Sequence, residues 1–107
     1  MKDLTIDALQ KLCNDQAILM TKHAVVRMRE RDIALDDIKA AIRNGEIIAQ
    51  YPDDYPYPSC LVLGHCTSSR HVHVVAGIAG TSLWIITAYF PDKTKWEADY
   101  KTRKEGS

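Results

Sequence analysis

The chain has 107 residues, of which 46% are hydrophobic, and this size suits one domain with its own core. Its 14 basic and 14 acidic residues cancel, which excludes an overall attraction to nucleic acid or anionic membranes and leaves only a local patch for binding an anion. Three cysteines without a Cys-x-x-Cys pair argue against a disulfide scaffold. Because no apolar run approaches the roughly 18 residues of a membrane span, we expect a cytoplasmic protein without membrane contact.

The first half of the chain has the apolar spacing of amphipathic helices. The pattern predicts a helix over residues 4–13, with Asp3 or Thr5 as its N-cap. A second helix is predicted over residues 22–31, with Thr21 as its N-cap. A third follows in "ALDDIKAAIRNG", where two aspartates occupy the first turn and a glycine ends the helix.

The second half of the chain changes to strand-like runs separated by turn-rich segments. Four β-branched or aromatic runs predict an antiparallel meander, and they are "EIIAQY", "CLVLGH", "RHVHVVAG" and "LWIITAYF". The tail is expected to add a helical turn or two. The sequence therefore predicts a single α+β domain over residues 1–107. Its helices, at about 3–45, cover one face of a four-stranded or slightly larger antiparallel sheet at about 46–91, and the C-terminal tail takes up 92–107.

Alternation in the last two strands predicts which residues share a face of the sheet. His71 and His73 share one face, and Thr87 and Tyr89 share the corresponding face of the next strand. The opposite, apolar set comprises Val72, Val74, Ala76, Trp84, Ile86, Ala88 and Phe90. Because the polar face carries groups that exchange protons, it is the predicted working surface.

Three potential cations lie four residues apart in the second predicted helix, namely His23, Arg27 and Arg31. Side chains at this spacing stack on one face, where like charges repel. Either nearby acids such as Glu30 neutralise them, or the stripe binds an anion. We expect the second case, with the stripe facing His73 and Tyr89 in one site.

Histidine, arginine and tyrosine together supply what RNA cleavage without a metal requires. A base removes the proton of the 2′-hydroxyl, cations stabilise the charge that grows on the phosphate, and an acid protonates the leaving 5′-oxygen. A competing interpretation is a zinc site built from His65, Cys66, His71 and His73, but their spacing matches no established ligand pattern, and we predict no metal and no cofactor. The tyrosines of "YPDDYPYPSC" could stack on bases, but we favour a rigid connection.

Several blocks of the sequence resemble a known family. They are "HAVVRMRERDI", "NGEIIAQYPDDYPYPSCLVLG", "HVVAG", "IITAYFPD" and the pattern W-E-x-D-Y-K-x-R near the end of the chain. In this order they are similar to the small bacterial proteins grouped as domain of unknown function 4258, over residues 21–103. The resemblance implies a RelE/barnase-like fold and a ribonuclease toxin of a type II toxin–antitoxin pair. The implied partners are RNA, free or on the ribosome, and a cognate antitoxin that covers the active face and can carry a zinc finger of the YgiT type.

The polar signature of the family, carried over by position, falls on His23, Arg27, Arg31, His73, Thr87, Tyr89 and Arg103. We assign His23 and His73 as acid and base in an open order, with Tyr89 and Arg31 completing the catalytic set. Arg27, Thr87, Arg103 and His71 are assigned to substrate binding. The alternative is a binding module of the same fold without chemistry, in which the stripe docks a protein partner.

Overall fold

A computed structural model describes residues 3–104, so both ends of the predicted domain, 1–2 and 105–107, lie outside the described residues. The elements in chain order are α1 (Ile6–Lys11), β1 (Ile18–Met20), α2 (Lys22–Glu30), α3 (Leu35–Asn44), β2 (Glu46–Tyr51), β3 (Ser59–His65), β4 (His71–Ala79) and β5 (Ser82–Tyr89). No helix within residues 3–104 is long and apolar enough to cross a membrane.

All three predicted helices are confirmed, and local capping explains where they begin. The side-chain oxygens of Thr5 and Thr21 each accept a hydrogen bond from the backbone N–H three residues later, at 3.1 and 3.0 Å. In the first turn of α3, the carboxylate of Asp37 accepts a hydrogen bond from the N–H of the N-cap residue Ala34 at 2.9 Å. Each contact satisfies a backbone group that the first turn of a helix leaves unpaired.

The sheet has five strands in the order β1-β5-β4-β3-β2 and is mixed, not purely antiparallel. The four predicted strands form the antiparallel part, and β1 is an additional edge strand that pairs parallel to the first half of β5. The prediction missed β1 because three residues are too few to show alternation. Its position comes from long-range backbone bonds, such as that from the N–H of Leu83 to the carbonyl oxygen of Ala17 at 2.9 Å.

The helices cover one face of the sheet, with α2 against β5 and α3 against β3. The core between them includes Ile38 and Ile42 from α3 and Val62, Val74 and Ile85 from the sheet, all with no exposed surface. We call the other face, opposite the helices, the open face.

A bulge in β5 changes the predicted division between the two faces. Val75 pairs with Thr87 and Ala76 with Ile85, so Ile86 is an extra residue on β5. The prediction that Trp84 and Ile86 belong to the core set is therefore wrong. Leu83, Ile85 and Ala88 are the buried residues of this strand, and Trp84 lies opposite Gly77 on the open face.

The tail within residues 92–104, here called the C-terminal segment, does not form the predicted helical turns. It consists of turns and one isolated bridge between Trp96 and Arg103. Asp92 and Asp99 hold these turns, because their carboxylates accept hydrogen bonds from backbone N–H groups two residues further on. The segment covers part of the open face at the start of β4.

Candidate functional site

Arg31 links the end of α2 to the sheet. It is the C-cap residue of the helix, and its Nη1 donates a hydrogen bond to the carbonyl oxygen of Ala88 at 2.9 Å. β1 pairs only with residues 83–85 of β5 and therefore does not bond to the carbonyl oxygen of Ala88. The bond fixes the guanidinium at the end of β5, next to Tyr89 in the chain.

Tyr89 lies on the open face, opposite His73 in the strand pairing. Burial raises the pKa of its phenol, as does nearby Tyr51, whereas the charges of Arg103 and Arg31 act in the lowering direction. The phenol is therefore protonated near pH 7 and able to donate a hydrogen bond. We call Tyr51, Tyr89, Arg31 and Arg103 the tyrosine–arginine cluster.

Arg103 reaches the cluster from the C-terminal segment. Its guanidinium carbon lies 5.3 Å from the ring centre of Trp96, and the two residues form the isolated bridge of this segment. Within residues 3–104, neither Arg103 nor Arg31 takes part in an ion pair. Guanidinium groups that no carboxylate neutralises are suited to an incoming phosphate.

His73 has no exposed surface, and the C-terminal segment lies over it. Its Nε2 donates a hydrogen bond to the carbonyl oxygen of Tyr100 at 2.8 Å, and the buried Nδ1 has no partner among residues 3–104. The rings of Trp96 and Tyr89 pack edge-on against the imidazole, at 4.5 and 5.2 Å between ring centres. Burial lowers the pKa of His73. In this structure the residue predicted as an acid or base is a neutral histidine enclosed by the C-terminal segment.

The rest of the helical stripe does not join the cluster. Arg27 forms an ion pair with Glu30 at 2.9 Å on the surface of α2. This is the case in which a nearby acid neutralises a cation of the stripe. His23 is exposed in the first turn of the same helix. Of the three stripe residues, only Arg31 bonds to the sheet among the contacts of residues 3–104.

Thr87 and His71 both lie on the open face and are partly exposed. Thr87 pairs with Val75 in mid-sheet, two residues from Tyr89. His71 stacks between His65 and Tyr100, with ring centres 4.5 and 4.7 Å away. Burial lowers the pKa of His71, and so does the charge of His65.

A groove at the start of β4 and the end of β5 contains cations that were not selected from the sequence. We call it the basic groove, and its walls include Arg70, His71, Phe90, Lys93 and Tyr100 together with one acid, Asp92. The guanidinium carbon of Arg70 lies 3.6 Å above the ring centre of Phe90, and no ion pair within residues 3–104 includes Arg70. Antiparallel pairing could have indicated this residue, because Arg70 precedes β4 and Phe90 follows β5, and these ends are adjacent.

The zinc alternative gains no support from the donor groups. Among residues 3–104, no three His, Cys, Asp or Glu side chains come together as a metal would require. The thiol of Cys66 lies 3.1 Å from the hydroxyl of Ser68, and His73 is bonded to a backbone carbonyl.

Comparison with protein families identifies the chain at the family level. The family model described as Domain of unknown function (DUF4258) matches residues 20–90. The chain belongs to this family. The DUF4258 match includes α2, α3 and β2–β5, and so contains Arg31 and Tyr89 but not Arg103. The chain has no significant match among the curated proteins or the solved structures.

Proposed function

We propose that this DUF4258 protein is a metal-independent endoribonuclease and the toxin of a type II toxin–antitoxin pair. One observation carries the proposal: Arg31, bonded to the carbonyl oxygen of Ala88 next to Tyr89, and Arg103, stacked over Trp96, come from distant parts of the chain and have no carboxylate partner within residues 3–104. Electrostatic stabilisation of charge that develops on a phosphate is the largest single contribution such a site can make.

The proposed reaction is an attack of the 2′-hydroxyl oxygen on the adjacent phosphorus. The P–O bond to the 5′-oxygen breaks and a cyclic 2′,3′-phosphate forms. Arg31 and Arg103 bind the non-bridging phosphate oxygens, whose charge grows in the transition state. Tyr89, protonated because burial raises its pKa, gives its proton to the leaving 5′-oxygen.

A base for the 2′-hydroxyl proton is available in His71 instead of His73. His71 is partly exposed, and its lowered pKa keeps the ring neutral near pH 7. It lies two residues before His73, the strand partner of Tyr89, so the two positions are about 7 Å apart along the strand. His73 then acts as a positioning residue that holds the C-terminal segment, and with it Arg103, over the sheet.

Substrate capture relies on local charge, because the chain as a whole is neutral. The basic groove adds Arg70 and Lys93 beside His71, and the rings of Phe90 and Tyr100 can stack on bases. We propose cytoplasmic RNA as the substrate, on or off the ribosome, and an antitoxin that covers the open face.

A binding module without chemistry is the second candidate, and the enclosure of His73 is the observation in its favour. In that case the two arginines dock acidic side chains of a partner, and no proton transfer occurs. The two candidates differ in what Tyr89 does, since a docking surface does not need an acid.

Single-turnover cleavage of a labelled RNA, with and without ribosomes, separates the candidates. For a nuclease, Arg31→Ala and Tyr89→Phe should each lower the cleavage rate about a hundredfold. Arg29→Ala is the matched control, because Arg29 is an exposed arginine of the same helix. Growth arrest on expression should follow the same order. If the wild-type protein cleaves no RNA in either setting, the binding module replaces the nuclease.

A further inference from the structure

A pocket at the other end of the open face is not used by the proposed chemistry. It encloses about 340 Å³ between the β2–β3 connection and β5. Tyr55, Pro56, Tyr57 and Pro58 form one wall, and Trp84 and Ile86 form the other. This volume is at the small end of the range for ligand pockets, about 300–1,000 Å³, and suits one long side chain with an apolar neighbour.

The wall formed by the connection is fixed to the sheet. A Cβ atom at Gly77 would lie 2.7 Å from the carbonyl oxygen of Pro58, so only a glycine allows this close approach. The hydroxyl of Ser59, which is fully buried, donates a hydrogen bond to Oδ2 of Asp54. The pocket is therefore formed before any ligand binds, which lowers the entropic cost of binding.

Two tyrosine side chains of this connection are largely exposed to solvent. Tyr55 is 96% exposed and Tyr57 is 52% exposed, although both are large and partly apolar. Neighbouring exposed aromatic residues of this kind are enriched at protein interfaces.

The charge at this pocket has a single sign. Asp54 lines it and Asp53 precedes Asp54 in the chain, whereas no lysine, arginine or histidine is part of the lining. Neither aspartate takes part in an ion pair within the described part of the chain. Carboxylates repel a phosphate, so the pocket is unsuited to the nucleic-acid backbone. Aromatic faces and a carboxylate both attract a cation.

We propose that this pocket binds an arginine or lysine side chain of a partner polypeptide. The aliphatic part of the side chain lies between Trp84 and the tyrosines, and its cationic end meets Asp54. An apolar neighbour in the partner covers the exposed rings of Tyr55 and Tyr57. The proposal is independent of RNA cleavage, since none of these residues belongs to the tyrosine–arginine cluster or the basic groove.

Two synthetic peptides that differ only in charge test the proposal. The probe is acetyl-Leu-Arg-Leu-amide, and its matched control carries citrulline in place of arginine. Amide and indole N–H resonances of the ¹⁵N-labelled protein report binding. We expect the arginine peptide to shift the amide signals of Asp54, Tyr55 and Tyr57 and the indole signal of Trp84, and the citrulline peptide to bind at least about tenfold more weakly.

Protein variants then locate the binding site. Asp54→Asn keeps an oxygen that can accept the Ser59 hydrogen bond but removes the charge, and Trp84→Leu removes the ring. Each should weaken the arginine peptide about tenfold. Asp7→Asn, at an exposed aspartate of α1, should leave binding unchanged. Equal binding of the two peptides would overturn the proposal, as would shifts of the pocket signals by guanosine monophosphate but not by the arginine peptide.

Discussion

The imidazole of His73 forms its hydrogen bond within the protein and stabilises the fold. Nε2 is bonded to the carbonyl oxygen of Tyr100, and Nδ1 is enclosed with no partner in the described part of the chain. In the neutral ring Nδ1 carries only a lone pair, but protonation would create a buried N–H donor with nothing to accept it. This enclosure should therefore make the fold sensitive to acid.

The first prediction is a loss of stability below about pH 6.5 that depends on His73. The unfolded chain takes up a proton near the ordinary pKa of 6.5, whereas the folded pKa is lower because of burial. Between these two pKa values the unfolded state binds more protons than the folded state. The free energy of unfolding therefore decreases as the pH is lowered, by at most about 1.4 kcal/mol per pH unit for this residue. Above the upper value the contribution is constant.

Urea unfolding at pH 7.5 and pH 5.5 measures this effect. His73→Gln keeps a donor for the carbonyl of Tyr100 and removes the titration, so it should show a smaller pH difference than the wild type. His71→Gln measures how much of the pH difference comes from His71, because burial lowers the pKa of that residue as well. Equal pH differences for wild type and His73→Gln would contradict the prediction.

Sequence reasoning selected Arg31 and Tyr89, which lie close because Arg31 is bonded to the carbonyl oxygen of Ala88, and Arg103, which stacks over Trp96. It did not foresee that His73 is enclosed. Alternation correctly placed His73 on the face opposite the core, but the cover comes from Trp96 and Tyr100, more than twenty residues further along the chain. No local pattern indicates that a turn-rich tail will lie over a strand.

At the scale of elements, local signals and long-range contacts differ in how well they can be predicted. Helix caps depend on residues three apart, and sequence identified Thr21 and left Thr5 as one of two candidates with Asp3. The pairing of β1 and the bulge at Ile86 depend on partners more than sixty and about ten residues away, respectively. The first feature makes the sheet mixed instead of purely antiparallel, and the second moves Trp84 to the open face, so these two parts of the prediction were wrong.

The packing of α3 on β3 yields the second prediction. A Cβ atom at Gly64 would overlap the backbone of Ala41 in α3, and backbone cannot move aside as a flexible side chain does. Gly64→Ala should therefore cost about 3 kcal/mol or more of unfolding free energy. At Gly80 there is open space but φ is +62°, so Gly80→Ala should cost only about 1 kcal/mol, through backbone strain. Denaturant unfolding of both variants gives the order, and equal losses would contradict it.

The C-terminal segment yields the third prediction. The ring of Trp96 packs against His73 at 4.5 Å and also lies beneath Arg103. Trp96→Ala should admit water to the imidazole and move the pKa of His73 up toward its ordinary value, because burial is the main cause of the lowering. NMR titration of the ring protons measures the shift. Lys95→Ala, at an exposed neighbour, is the control, and an unchanged titration in Trp96→Ala would show that the segment does not enclose His73.

At the scale of the whole molecule, this neutral chain has four cations at the cluster and the basic groove that form no ion pair within residues 3–104. Arg27 and Lys39 are neutralised by acids on the helical layer. Arg31 and Arg103 at the cluster, and Arg70 and Lys93 in the basic groove, have no acidic partner among the ion pairs of residues 3–104. RNA binding should therefore depend on these four groups and not on net charge.

The salt dependence of RNA binding tests this distribution and is the fourth prediction. Four phosphate contacts to a single strand give a slope of log K against log salt of about −3, so affinity should fall about fiftyfold between 50 and 200 mM salt. Fluorescence anisotropy with a 2′-O-methyl RNA measures binding without cleavage. Arg70→Ala and Arg103→Ala should each reduce the slope by about 0.7, whereas Arg29→Ala should leave it unchanged. A slope that stays near −3 in both variants would mean that RNA binds elsewhere on the molecule, whatever the fate of the nuclease proposal.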